Sequence, residues 1–191
     1  MLRTLAHKAV RSLLLKHRII TEDEDLNTQR LVRELGKARA RGYLTRRELE
    51  KICRWKSARA IHLVRANGSA HVRAMTELAL QTRSEKRRIE ALTALKGVSL
   101  PMASAILTLL YPNRYGVIDI RVWQLLYRVR AVTGRPGGIG FTFEHWDQFL
   151  TIIRHFGKEF QTSPRAIELT LFLAHQSQQT GTLYRKGLEK R

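Results

Sequence analysis

The chain has 191 residues, enough for one domain of ordinary size or two small lobes sharing a core, and its 43% apolar content can fill that core. Thirty-five Lys and Arg against 16 Asp and Glu give a formal charge of +19, a field that draws polyanions and makes nucleic acid the leading partner. An anionic membrane surface is the rival, but no apolar run approaches the roughly 18 residues that a span needs, and a single cysteine, Cys53, excludes an intramolecular disulfide, a Cys-based zinc finger and an all-cysteine iron–sulfur site within the chain.

Helical periodicity dominates from the start. The first predicted helix falls within residues 3–18. Residues 1–20 are basic and free of acids, a composition shared with transit peptides, yet the apolar positions suit an amphipathic surface helix, and no cleavage site is marked. The cluster TEDED at 21–25 opens the next helix, where carboxylates suit the positive end of the dipole. That helix covers 27–40 and ends near Gly42. Thr45 and Glu48 in TRRE form a capping box. The helix they start continues or kinks through ICRWKSARAIHLVRA and stops at Asn67-Gly68. Ser69 caps the next helix, to about Gln81.

Ile89, Leu92 and Leu95 then mark one buried face. KGVSL is a turn; Ser99 is placed to cap the following helix, and Pro101 suits a first turn because no N–H is needed there. Met102, Ala105, Ile106 and Leu109 supply that helix's buried side. YPNRYG is a loop, VID is extended, and a helix follows from about Ile120 to Arg130. TGRPGGIG at 133–140 is the most flexible segment. Thr142 or Glu144 begins a helix with Trp146, Phe149, Ile153 and Phe156 on one face. Ser163-Pro164 opens another, ending near Gln176, and the tail after Thr180 is polar and basic. No repeat and no convincing sheet is present. The expectation is an all-α chain, a single domain over 1–191, with two helical lobes and a cleft between them.

Three features carry chemistry, each with a plainer reading beside it. The helix–turn–helix over 85–110 brings a glycine that lets the backbone turn sharply, followed by amides at a helix start that can bind a phosphate; it also reads as an ordinary hairpin of packed helices. Asp119, between an extended residue and a helix, is first of all an N-cap. If a cleft faced it, the same geometry would hold a charged base. In WKSAR at 55–59, Trp55 beside Lys56 and Arg59 could stack a base and grip its phosphate, although a helical Trp is more often core. The seven histidines show no metal-ligand spacing, and neither a Walker A loop nor GxGxxG occurs, so nucleotide hydrolysis and dinucleotide redox chemistry have no support and no metal or cofactor is expected.

The stretch LKGVSLPMASAIL…YGVIDIRVWQLL resembles the helix-hairpin-helix DNA glycosylases of base-excision repair over roughly residues 88–130. Gly97 and Val98 match the hairpin, Ala103 matches the small residue opening the packed helix, and Asp119 falls on the catalytic aspartate, in a loop and helix over 111–130. Three departures matter. Ser99 stands for the second hairpin glycine. Pro101 occupies the position where bifunctional members carry a Schiff-base lysine, a substitution shared with the monofunctional members. The C-terminal cysteine cluster of some members is missing, so no iron–sulfur cluster is implied. The resemblance implies hydrolysis of the N-glycosidic bond of a damaged or modified base, with no lyase step. Its DNA contacts would be Lys96, Gly97, Val98, Ser99 and Arg121, its pocket walls Trp55, Lys56, Arg59, Tyr115 and Trp123, and its setting that of a cytoplasmic monomer, nucleoid-associated if the source is prokaryotic. A non-catalytic DNA-binding module that kept the hairpin and lost the chemistry is the alternative.

Overall fold

The computed structural model describes residues 2–20 and 25–179. It is all-α, and no strand occurs among the described residues. The helices are α1 (Leu2–Lys16), α2 (Leu26–Glu34), α3 (Gly36–Arg41), α4 (Arg46–Ser57), α5 (Ile61–Arg65), α6 (Ser69–Gln81), α7 (Glu85–Thr93), α8 (Leu100–Leu110), α9 (Ile120–Arg128), α10 (Phe143–Glu159) and α11 (Pro164–Gln178). The segment 21–24 and the tail from 180 lie outside the described residues; of TEDED only Asp25 is seen, and its carboxylate caps α2 by accepting from the Asn27 amide at 3.0 Å.

The local signals act where they are predicted. Gly42 ends α3 with φ +85°, the left-handed conformation glycine adopts without strain. Thr45 and Glu48 form a reciprocal capping box at the start of α4. Ser163 Oγ accepts from the Ala166 amide and Pro164 fills the first turn of α11. Of the two courses open to the helix from Thr45, it takes the kink: α4 ends at Ser57 and a 3-10 turn over Ala58–Ala60 leads into α5. Three expectations are corrected. The helix over 27–40 is two helices, α2 and α3, meeting at Leu35, whose side chain is buried. Gly68, not Ser69, is the N-cap of α6, and no side chain caps it. The loop 133–140 is anchored rather than free: the Trp123 indole N–H donates to the carbonyls of Gly134 and Arg135, and Gln124 Nε2 donates to that of Gly137.

One apolar core runs from Val10 of α1 to Ala174 of α11. Helix α8 is its axis. Leu100 and every residue from Met102 to Leu110 are buried, because LPMASAILTLL is apolar all round and neighbours cover it from several sides, α4 and α7 among them. Its two hydroxyls answer to their own helix: Ser104 donates to the Pro101 carbonyl and Thr108 to that of Ser104. The first helix is part of this core. Val10 and Leu14 are fully buried and α1 packs on α11, while Leu5 and Leu15 face solvent. No helix among the described residues is long and apolar enough to cross a membrane.

The connection from α7 to α8 is built tightly. Gly97 sits at φ +79°, and a Cβ there would lie 2.9 Å from Leu63 Cβ and 3.1 Å from the Val64 amide nitrogen. The buried Asn67 holds this turn as a backbone strand would: its amide nitrogen donates to the Lys96 carbonyl and its oxygen accepts from the Lys96 N–H, both at 2.9 Å.

Candidate functional site

A cleft of about 860 Å³ opens where the starts of α8 and α9 meet α4, α11 and the loop before α10. Asp119 is on its wall. The residue is extended (φ −143°, ψ 175°) and caps α9, Oδ1 accepting from the Val122 amide at 3.1 Å. Its Oδ2 lies 3.9 Å from Lys56 Nζ at the end of α4, and the two side chains are 15% and 20% exposed. Helix α4 ends one residue later, which leaves the Lys56 stem to reach across the cleft.

The structure gathers much of the expected set. Trp55, Lys56, Arg59, Ser99, Asp119 and Arg121 all line the cleft, and Pro101, the position without a lysine, lines it too. Trp55 is half-buried; its indole N–H donates to Thr28 Oγ1 at 2.7 Å, and Thr28 donates in turn to Asp25 Oδ2 at 2.8 Å. Arg121 lies beneath Phe172, its guanidinium carbon 5.1 Å from the ring centroid, and its Nε is buried with no acceptor among the described residues. Ser99 is the N-cap of α8 by position only, since its hydroxyl makes no cap bond.

Other expected residues are elsewhere. Tyr115 is 1% exposed and behind the wall: it stacks on Trp146 and donates its hydroxyl to Glu85, which also pairs with Arg88 and Arg154. Burial, with the Glu85 charge adding to it, pushes the Tyr115 phenol up. Glu85 is itself penalised by burial, yet the hydrogen bonds from Arg154 and Arg88 win and hold its carboxyl below the usual range. Trp123 is fully buried, edge-on to Phe141, which takes its place on the cleft wall. At the hairpin, Lys96 is exposed but Val98 is core, and its amide already donates to the Leu95 carbonyl, so neither its side chain nor its N–H is offered to a phosphate.

Several lining residues escaped the sequence reading: Asp25, Thr28, Ile139, Phe141, Phe172, and above all Arg165 and Glu168 on α11. Glu168 is 2% exposed, accepts from the Val117 amide at 3.2 Å and pairs with Arg165. Burial pushes its carboxyl up; Arg165 opposes that shift, and the nearby Asp119 charge adds to it. Arg165 also lies 5.8 Å from the Trp55 ring, so α11 ties both walls together. A signal was present: Glu168 is a lone acid in the apolar run AIELTLFLA, as Ser104 is a hydroxyl inside MASAIL. Gly116 makes room for the carboxylate, because a Cβ there would lie 2.8 Å from Glu168 Cβ. No group of three metal-ligating side chains occurs among the described residues. Comparison with family models, curated proteins and solved structures returns no match.

Chemically, the cleft combines an ionisable carboxylate at a helix start, an ammonium beside it, aromatic faces from Trp55, Phe141 and Phe172, and guanidinium groups at Arg59, Arg121 and Arg165. That set suits an anionic, ring-bearing ligand.

Proposed function

We propose that the protein is a helix-hairpin-helix DNA N-glycosylase that removes a damaged or modified base by hydrolysis. One observation carries the reading. The two halves of the motif, Ser99–Met102 after the hairpin and Asp119–Arg121 after the extended segment, line the same cleft. A cap buried in the core would have favoured the plain binding module; a cap on a cleft wall favours catalysis. In this reading α2–α8 and α9–α11 with α1 are the two lobes, and the cleft between them takes the flipped nucleotide.

Cleavage of a glycosidic bond builds positive charge on the sugar. Asp119 stabilises that charge and orients or deprotonates the attacking water. Trp55, Phe141 and Phe172 supply stacking faces for the extruded base, and the exposed Lys96 and Ser99 at the hairpin face the phosphate backbone. Pro101 carries no amine, so the hairpin supplies no lyase group. The expected substrate carrier is DNA, and the protein acts as a monomer without cofactor.

The test uses duplex oligonucleotides, each carrying one lesion, incubated with the protein and then treated with alkali to cut abasic sites. Release from one of them by the wild type is expected. Asp119→Asn keeps the shape of the cap and removes the charge; base release should fall by at least about a hundredfold, the loss typical of removing one such electrostatic partner, with DNA binding retained. Wild-type rates in the variant defeat the assignment. Binding without release across the panel would instead identify a non-catalytic DNA-binding module.

A further inference from the structure

The segment that delivers Asp119 has an unusual problem. Residues 116–119 belong to no helix, Asp119 itself is extended, no sheet exists among the described residues to pair their amides, and Val117 and Ile118 are both buried. A buried, unpaired N–H costs about 1–3 kcal/mol, so each needs an acceptor. Both are met by side chains from distant helices. Val117 N–H donates to Glu168 Oε2 of α11 at 3.2 Å, and Ile118 N–H donates to Ser104 Oγ of α8 at 3.1 Å.

Neither acceptor is a free-standing group. The Ser104 hydroxyl donates onward to the Pro101 carbonyl at 2.8 Å, in the first turn after the hairpin. Glu168 is gripped by Arg165, whose backbone amide donates to the Pro112 carbonyl at 3.3 Å and whose guanidinium lies near Trp55. Ser104 thus links the hairpin end of α8 to the Asp119 segment, and Glu168 links the same segment to the aromatic wall. Gly116 allows the close approach of α11 that this needs.

From this geometry we infer that Ser104 and Glu168 are positioning residues that aim Asp119: they hold the two residues before it, so the carboxylate keeps one place relative to both the hairpin and the cleft wall. This rests on the reading of Asp119 as the group that stabilises a cationic sugar. An apolar side chain of similar size would fill the space but leave the Val117 or Ile118 N–H unpaired and the segment free to shift. Placement matters because displacement of a catalytic group by a fraction of its contact distance loses much of its effect.

The test needs no knowledge of the lesion. Two abasic duplexes are compared, one with a neutral tetrahydrofuran in place of the sugar and one with a cationic pyrrolidine. The wild type should bind the cation more tightly by about tenfold or more, the worth of one well-placed charged contact, and Asp119→Asn should erase the preference. Ser104→Ala and Glu168→Leu should reduce the preference to about twofold or less, and Ser104→Ala, which lies outside the cleft lining, should leave affinity for the neutral duplex near wild type. Glu168→Gln retains an acceptor for Val117 and should keep most of the preference. Simple loss of folding would lower both affinities together, and if Glu168→Leu does not fold, Ser104→Ala carries the test. Should both variants keep the wild-type preference, the positioning role is wrong and the Asp119 reading stands. A wild type indifferent to the cation defeats the Asp119 reading, and the positioning role with it.

Discussion

Lys56 and Asp119 meet across the cleft from α4 and α9, and the pair sharpens one expectation. In the proposed reading, the hairpin position that holds a lysine in the bifunctional glycosylases the sequence resembles is Pro101 here, so abasic DNA treated with borohydride should give no robust protein–DNA adduct, and strand cleavage should require added alkali. The structure names the residue that would overturn this. Lys56 is the lysine on the cleft wall, whereas Lys96 is exposed on the hairpin outside it. A strong band on a denaturing gel that Lys56→Ala removes and Lys96→Ala leaves would make Lys56 a nucleophile. The same scale explains the two misplaced aromatics. Tyr115 and Trp123 have the right type and neighbourhood for a pocket, but their polar atoms are already bonded, to Glu85 and to the 134–135 carbonyls. A buried aromatic with a satisfied polar handle is core.

At the scale of elements, the α7–α8 turn depends on two residues that no periodicity marks together, Gly97 and Asn67. Gly97→Ala asks an L-residue to hold φ +79°, which costs about 1–2 kcal/mol. It also drives a methyl to 2.9 Å from Leu63 Cβ, where the neighbouring helix α5 must give way. The expected result is a fall in Tm of several degrees, at about 2–4 °C per kcal/mol for a chain of this size, together with weaker binding of any DNA duplex. An unchanged Tm would show that the turn tolerates a Cβ and that α5 does not constrain it. Helix starts and stops such as Thr45, Ser163 and Gly42 were legible because capping is settled within four residues of chain. The break at Ser57 was only half legible, because packing of α5 under the hairpin decides it.

Over the whole molecule, the excess of 35 basic over 16 acidic residues predicts DNA binding that is strongly salt-dependent and mostly indifferent to sequence. Each phosphate neutralised contributes a slope of about 0.9 in log K against log salt. Several contacts therefore lower affinity by orders of magnitude between low and moderate salt in a fluorescence-anisotropy titration, and a flat response would end the phosphate-binding account. Many of the basic groups are already committed within the chain, as in Arg88 and Arg154 on Glu85 or Arg54 and Arg65 on Glu50, so the slope should count far fewer phosphates than the 35 basic residues.

The all-α class, most helix ends, a buried side on the helix over 100–110 and the cap at Asp119 could be read from the residues alone, because these follow from short-range periodicity, capping and charge. Trp55, Lys56 and Asp119 were also singled out, joined in one site only by the resemblance and not by their spacing. Only the tertiary structure brought Lys56 to Asp119, buried Tyr115, Trp123 and Val98, and set Ser104 and Glu168 on the amides of Ile118 and Val117. The physical reason is range. A backbone donor in an unpaired extended segment must find an acceptor wherever the folded chain offers one, and the acceptors for Val117 and Ile118 come from helices that touch that segment only after the core has closed.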